Sequence, residues 1–132
     1  MDTAVETIYV PNISEFLERN KVPISPAIRA GGFVFVSGAP PIDPDTGELV
    51  KGDVTTQTEV IFRYIDTVLK AAGTGPEKVV KVTVYAANSA HFRMINEVYA
   101  AYFKDHFPTR TFVTVGSWPM EFDVEIEVQA LA

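Results

Sequence analysis

The chain contains no cysteine and only two histidines among its 132 residues. Without cysteine it cannot form a disulfide, use a thiolate nucleophile or bind a metal through sulfur. The two histidines, His91 and His106, are too few and too far apart in sequence for a convincing zinc site. We therefore predict that the protein has no metal site.

Clusters of lysine and arginine are also missing, and the net charge is −6. Phosphate backbones are bound by clustered basic side chains, so a nucleic-acid partner is disfavoured. No apolar run approaches the length of a membrane span, and the first residues lack a signal-peptide pattern. We expect a cytoplasmic protein with no membrane partner.

The composition that is present, 47% hydrophobic and 21% charged, is typical of a folded globular protein. The length fits one domain with a real core, and no repeat or linker divides it. Residues 1–132 are therefore predicted to form a single domain.

The first half of the chain predicts strands and turns. Strands are predicted at residues 7–10, 28–30 and 33–38, with a helical turn from Ser14 and a short strand at 48–50. The strand at 33–38 is apolar on both faces, so both faces need a cover.

The second half predicts two helices that alternate with strands. A Thr56-x-x-Glu59 capping box should begin the first helix, and Gly73 should end it. A strand at 79–87 should place Val80, Val82 and Val84 on one face and Lys81, Thr83 and Tyr85 on the other. A second helix is predicted from Ser89, and two strands on either side of Trp118 close the chain. This order predicts an α+β sandwich with both helices on one face of the sheet.

The second face of the sheet carries polar and aromatic side chains. Its predicted members are Lys81, Thr83, Tyr85, Phe112, Thr114, Glu125, Glu127 and Gln129. A solvated face is one interpretation of this alternation. A partly aromatic face on a single-layer sheet is more often closed by association, which predicts a homo-oligomer.

Arg110 and Glu125 stand out on the last two strands, but a simple hairpin would separate them. If the chain turns near Trp118, Arg110 lies opposite Gln129, and Glu125 lies ~13 Å along the ladder at ~3.3 Å per residue. Either the two strands are paired differently, or the two side chains meet across neighbouring subunits.

Six segments together resemble the reactive intermediate deaminase (Rid, or YjgF-like) family. They are FVFVSG at 33–38, DPDTGE at 43–48, VVKVTVY at 79–85, INEVY at 95–99, FPTRT at 107–111 and VEIE at 124–127. The resemblance implies a chorismate-mutase-like α+β fold with a mostly antiparallel six-stranded sheet, and a homotrimer with sites between subunits. It also implies cofactor-independent hydrolysis of reactive enamines and imines, such as 2-aminoacrylate, to 2-keto acids and ammonia.

The resemblance assigns roles to individual positions. Arg110 matches the arginine that binds the substrate carboxylate, and a guanidinium suits this role because it presents a planar fork of donors. Glu125 matches the glutamate near the attacking water, although Glu127 fits the strand pattern equally well. Ser37, Gly38, Asn96 and Phe112 match positions around the ligand, and Ile24 stands where many members have a tyrosine.

Two other functions remain open from the sequence. A trimer that binds small carboxylates or keto acids without turnover would also use Arg110. An endoribonuclease or translation inhibitor is disfavoured by the acidic balance.

Overall fold

The computed structural model describes residues 3–132. The elements are strands β1 (Glu6–Ile8), β2 (Ala27–Ala30), β3 (Phe33–Ala39), β4 (Val79–Ala86), β5 (Thr109–Thr114) and β6 (Val124–Leu131), with helices α1 (Ile13–Arg19), α2 (Val54–Ala71) and α3 (Phe92–Tyr102). The six strands form one sheet in the order β1-β2-β3-β6-β4-β5. The predicted α+β fold is confirmed, with α1 forming nearly two turns where one was expected. None of the helices in the described part of the chain is both long and apolar enough to cross a membrane.

The last two strands do not pair as a simple hairpin, which was one of the two alternatives that the sequence left open. Strand β6 pairs antiparallel with both β3 and β4, and β5 pairs only with β4, in parallel. A parallel pair needs a crossover connection, and α3 provides it between β4 and β5. The final strand therefore occupies the middle of the sheet, and β5 lies at its edge.

The longest helix begins earlier than its capping box predicted. Asp53, not Thr56, is the N-cap residue, and its carboxylate accepts a 2.8 Å hydrogen bond from the Thr56 backbone N–H. This bond satisfies one of the free N–H groups of the first turn and holds the pKa of Asp53 below its usual range. Gly73 follows the C-cap with φ of 79°, as predicted for a residue that ends a helix in the left-handed region.

The apolar sides of α2 and α3 cover one face of the sheet, here called the helix face. Val82 and Val84 of β4 and Ile126 and Val128 of β6 are fully or almost fully buried there. The prediction that Val80 shares this face was wrong, because an irregularity in the β4–β6 register turns Val79 inward and leaves Val80 exposed.

The opposite face, here called the open face, has no helix over it. Lys81, Thr83 and Tyr85 lie there beside Gln129, Glu127 and Glu125, as their register in β4 and β6 requires. Phe112 and Thr114 were also predicted on this face, and this was wrong. In the parallel pair they align with Val84 and Ala86, which are buried on the helix face.

The segment between β3 and α2 contains no strand. A strand was predicted at residues 48–50, but only an isolated bridge joins Ile42 and Leu49. The predicted turn before it is present, since Gly47 has φ of 73° and its N–H donates to Asp43 O at 2.7 Å.

Candidate functional site

Arg110 lies on the helix face at the edge of the sheet. Its Nη1 donates a 2.7 Å hydrogen bond to Asn96 Oδ1 on α3. Its guanidinium carbon also lies 4.8 Å from the centre of the Tyr99 ring and 5.6 Å from that of Phe92. Both rings are within the distance at which an aromatic face attracts a cation. Asn96, Phe92 and Tyr99 of α3 thus surround the Arg110 guanidinium, and these three side chains are here called the cradle.

The cradle follows from helical spacing. Phe92, Asn96 and Tyr99 are four and then three residues apart, so they lie on one side of α3. Phe112 extends the same cluster, since its ring meets that of Phe92 edge to face with centres 5.1 Å apart. Asn96 is half-buried in the helix interior, where its side chain orients the arginine rather than stabilising the helix.

The guanidinium keeps donors free for a ligand. Arginine has five side-chain N–H donors, and the only hydrogen bond made by the Arg110 side chain within residues 3–132 is the one to Asn96. In the same part of the chain, the ion pairs involve Arg29, Lys51, Arg63 and Lys70, and none involves Arg110. An arginine held by a neutral amide and two rings retains its full charge for an anion.

Glu125 lies on the open face, where its carboxylate covers the backbone of Gly38. A Cβ added at Gly38 would stand 2.9 Å from Glu125 Cδ and would overlap Oε1, so only glycine leaves room for this carboxylate. Burial raises the pKa of Glu125, and the charge of Glu127 raises it further. A carboxylate with a raised pKa is a stronger base, which suits proton transfer near neutral pH.

Glu127 is held by a tyrosine. Tyr85 Oη donates a 2.5 Å hydrogen bond to Glu127 Oε1, and this bond is the main cause of the raised pKa of Tyr85. The phenol fixes the carboxylate and occupies one of its oxygens. The two glutamates are therefore in different surroundings: Glu125 is packed against Gly38, and Glu127 is hydrogen-bonded to Tyr85.

Both glutamates line a cavity of about 340 Å³. Its remaining lining residues are Gly38, Tyr85, Val115, Ser117 and Trp118. This cavity therefore brings the carboxylates of Glu125 and Glu127 and the hydroxyl of Tyr85 close to the indole ring of Trp118.

Ser37 and Ile24 line other pockets and not this cavity. The Ser37 hydroxyl donates a 2.7 Å hydrogen bond to Ser25 O, and its N–H donates to Pro26 O at 3.0 Å. These bonds attach the segment that carries Ile24 to the end of β3. Ile24 itself is 48% exposed and lines a separate pocket with Tyr9 and other residues, so within one chain it does not reach the glutamates.

The structure thus separates the predicted site residues into two groups. Arg110, Asn96 and Phe112 lie on the helix face, and Ser37, Gly38 and Glu125 lie on the open face. Arg110 aligns with Val82 and Glu125 with Tyr85, two strands across and three residues along. Strand spacing and rise give a backbone separation of ~14 Å, with the side chains on opposite faces. The correct strand pairing therefore does not bring Arg110 and Glu125 together.

Four residues of these groups were not predicted as functional. The sequence pattern indicates ordinary core or sheet positions for Tyr99, Phe92 and Tyr85, and a turn at Trp118. The spacing of Phe92 and Tyr99 around Asn96 was a usable signal, since Asn96 was already a candidate. No sequence signal placed Trp118 beside Glu125, because that contact depends on the path of a loop.

Other parts of the described chain offer less chemistry. No group of three or more His, Asp or Glu side chains among residues 3–132 is arranged to hold a metal ion. A wider cleft of about 530 Å³ lies between α2 and α3. Most of its charged groups are already paired, Arg63 with Asp43 and Asp45, and Asp66 with Lys70 and Tyr102; Glu59 is the further carboxylate of its lining.

Comparison with known proteins agrees with this fold. The family model described as endoribonuclease L-PSP matches residues 16–132. A RutC family protein of Pyrococcus horikoshii is 46% identical over 120 residues, covering 89% of this chain and 94% of its own length. The chloroplastic Reactive Intermediate Deaminase A of Arabidopsis thaliana is 39% identical over 105 residues, covering 80% of this chain and 56% of its own.

Solved structures give the same result. The Rid-family protein YyfA of Yersinia pestis, described as of unknown function, superposes with a TM-score of 0.89 at 40% identity, covering 98% of this chain and 100% of its own. TdcF of E. coli, solved with bound serine, gives a TM-score of 0.77 at 34% identity and covers 83% and 88%.

The chain belongs to the Rid (YjgF) family, as its motifs indicated. Its relatives are found in more than one compartment, including the chloroplast, so the cytoplasmic location stays a prediction.

Proposed function

We propose that the protein hydrolyses reactive enamines and imines that carry a carboxylate, giving 2-keto acids and ammonia without a cofactor. The observation that carries this proposal is the guanidinium of Arg110, which is oriented by Asn96 and two rings and has no carboxylate partner among the described residues. The relative named as a reactive intermediate deaminase and the serine bound to TdcF support it, since serine also carries a carboxylate.

Each group has a role in the proposed reaction. The donor fork of Arg110 binds the substrate carboxylate through charge-assisted hydrogen bonds. An enamine first becomes its imine tautomer by taking a proton on carbon and losing one from nitrogen. Glu125 removes a proton from a water molecule as the water oxygen bonds to the imine carbon, and the same carboxyl returns that proton to the nitrogen, which gives a carbinolamine. The hydroxyl proton of this intermediate then passes to the nitrogen through the same carboxyl as the C–N bond breaks, so the C=O bond of the keto acid forms and ammonia leaves.

Two copies of the chain must complete one site in this proposal, because Arg110 and Glu125 face opposite sides of the sheet. The open face provides a surface for association. Phe33 and Phe35 are 39% and 40% exposed with ring centres 6.0 Å apart, and Val113 and Leu131 add further apolar area. We propose a homotrimer in which these faces meet and the Arg110 cluster of one copy approaches the Glu125 cavity of the next. Light scattering at micromolar concentration tests this, and a monomeric mass contradicts it.

The reaction is tested by releasing imines in situ with an amino-acid oxidase and measuring how much the protein accelerates ammonia formation. Acceleration by the wild type and its loss in Arg110→Ala are expected. An absence of acceleration by a folded wild-type trimer contradicts the proposal and leaves a carboxylate-binding function. Binding of a keto acid, measured by calorimetry, distinguishes that alternative.

The choice of Glu125 over Glu127 is tested by two matched variants. Glu125→Gln should slow hydrolysis strongly and leave keto-acid binding almost unchanged, because the amide keeps the shape but cannot accept the proton. Glu127→Gln should have the smaller effect, since Tyr85 already occupies one oxygen of that carboxylate. The reverse order of effects assigns the base to Glu127.

Ribonuclease activity, which the family description names, has less support in this chain. The open face carries Glu125 and Glu127 as well as Lys81, so its charge does not favour a phosphate backbone. Cleavage of RNA that Arg110→Ala abolishes, without any imine hydrolysis, is the result that would favour this function.

A further inference from the structure

We propose that Trp118 determines substrate choice by forming the apolar wall of the Glu125 cavity, so that imines with a flat, aromatic or unsaturated side chain are preferred over the smallest ones. This inference rests on the proposed function, since it names the substrate class of that reaction. Trp118 is in the loop between β5 and β6, which supplies none of the residues assigned so far.

The position of Trp118 is the first evidence. It lines the 340 Å³ cavity together with Glu125 and Glu127, and it also lines a neighbouring cleft of about 400 Å³ formed by the same loop. The indole therefore lies between two hollows and bounds the first of them. A residue in this place limits what fits beside the glutamates.

The loop is fixed at both ends. Val115 N donates to Ala86 O, and Ala87 N donates to Asp123 O, each at 2.9 Å. The buried side chain of Gln57 holds the second end more firmly, because it accepts from Asp123 N at 2.8 Å and donates to the Asp123 carboxylate at 2.9 Å. The loop is thus anchored on both sides of Trp118.

The indole itself is oriented by a second ring. Trp118 and Phe122 lie with ring centres 4.7 Å apart and planes inclined by 32°, and Trp118 is only half-buried. One part of the indole is fixed by Phe122 while another part remains available to a ligand. A preorganised aromatic surface costs little entropy on binding, which favours contact with a flat group.

The hollow beside the glutamates is open to solvent in one chain and has a volume of about 340 Å³. This value is near the lower end of the roughly 300–1,000 Å³ of ligand pockets, so a substrate side chain has room beside Glu125. Glu125 serves the reacting carbon and nitrogen in the proposed reaction, while Glu127 and Tyr85 are hydrogen-bonded to each other. The indole is the large apolar surface left for the substrate side chain.

The first test compares two imines in the hydrolysis assay, one derived from phenylalanine and one from 2-aminobutyrate. The wild type should show the higher kcat/KM for the phenylalanine imine. Trp118→Ala should lower this preference by about tenfold, mainly through KM, because the lost contact is apolar burial of a ring. Trp118→Phe should keep most of it. An unchanged preference in Trp118→Ala, or no preference in the wild type, overturns the inference.

The second test does not depend on turnover. Trp118 is the only tryptophan in the chain, so the tryptophan fluorescence of the wild type reports its surroundings alone. Titration with 3-phenylpropanoate should give a saturable change in emission, and titration with propanoate should require a much higher concentration.

The two proposals can therefore fail separately. A saturable response to 3-phenylpropanoate without ammonia release removes the proposed reaction but keeps the recognition role of Trp118. Ammonia release with no selective fluorescence response removes the role of Trp118 and keeps the reaction. If neither is observed, both proposals are wrong.

Discussion

Arg110 Nη1 and Asn96 Oδ1 are 2.7 Å apart, so a hydrogen bond from the charged guanidinium to a neutral amide oxygen joins β5 to the helix that precedes it. The amide oxygen orients the guanidinium without neutralising it. A carboxylate at this position would form an ion pair with Arg110 and would compete with an anionic ligand. The neutral acceptor thus keeps Arg110 both fixed and electrostatically available.

Arg110→Lys should lower kcat/KM for imine hydrolysis by about 10- to 100-fold although the charge is kept. Lysine cannot offer the planar fork, and hydrogen bonds to charged groups contribute about 1.5–3 kcal/mol. Arg93→Lys, at an exposed position of α3, is the matched control and should be neutral. Ammonia release at varied substrate concentration is the measurement, and equal turnover in both variants would refute the assignment.

Asn96→Asp should raise KM more than Asn96→Ala does. The aspartate remains a good acceptor for Arg110, but its charge would hold the guanidinium in an ion pair that the substrate carboxylate must displace. Alanine only removes the hydrogen bond that orients the Arg110 side chain. Glu97→Gln alters charge on the exposed side of the same helix and serves as the control. A smaller KM for the aspartate variant would show that Asn96 does not act through the charge of Arg110.

Glu125→Gln should be more stable than the wild type at about pH 7. Burial and Glu127 raise the pKa of Glu125, so its ionisation is harder in the folded chain than in the unfolded one. The contribution of Glu125 to the free energy of unfolding is complete below the pKa that it has in the unfolded chain. This contribution is lost as the pH rises through the higher pKa that Glu125 has in the folded chain. Glutamine avoids this loss, so the difference in thermal unfolding should shrink as the pH falls and Glu125 becomes protonated. A wild type that is more stable than Glu125→Gln at neutral pH contradicts the prediction.

Gly38→Ala should reduce hydrolysis sharply while the protein still folds. The new methyl group would overlap the Glu125 carboxylate, and that side chain is flexible enough to move away. The base would then lose its position. Gly116→Ala is the matched control, because a Cβ there meets no atom within 4 Å. Similar activity in both variants would show that the contact between Gly38 and Glu125 does not matter for the reaction.

Local patterns predicted most elements of the fold. The alternation in β4 and β6 and the spacing in α2 and α3 identified strands and helices, because burial of one face leaves a period in the sequence. The sheet order was not predictable in this way. Successive strands usually pair, yet β6 lies between β3 and β4, and such long-range pairing leaves no local signal.

The strand pairing also determines how the site residues are divided. The sequence pattern assigned Phe112 to the same face as Glu125 and left the pairing of the last two strands open. The parallel pairing with β4 puts Arg110 and Phe112 under α3 instead. The identity of the candidate residues followed from motifs, but their division between two faces depended on an arrangement of strands that only the structure provides.

The opposite orientation of Arg110 and Glu125 has a consequence for mixed assemblies. The proposed trimer would lack its carboxylate anchor in every site if made only of Arg110→Ala chains, and would lack its proposed base if made only of Glu125→Gln chains. When the two variants are unfolded together and refolded, about a quarter of the interfaces in a random cyclic trimer would pair an intact arginine with an intact glutamate. Two inactive proteins should then recover activity on mixing, as complementing alleles do, whereas a site contained within one chain would remain inactive in every mixture.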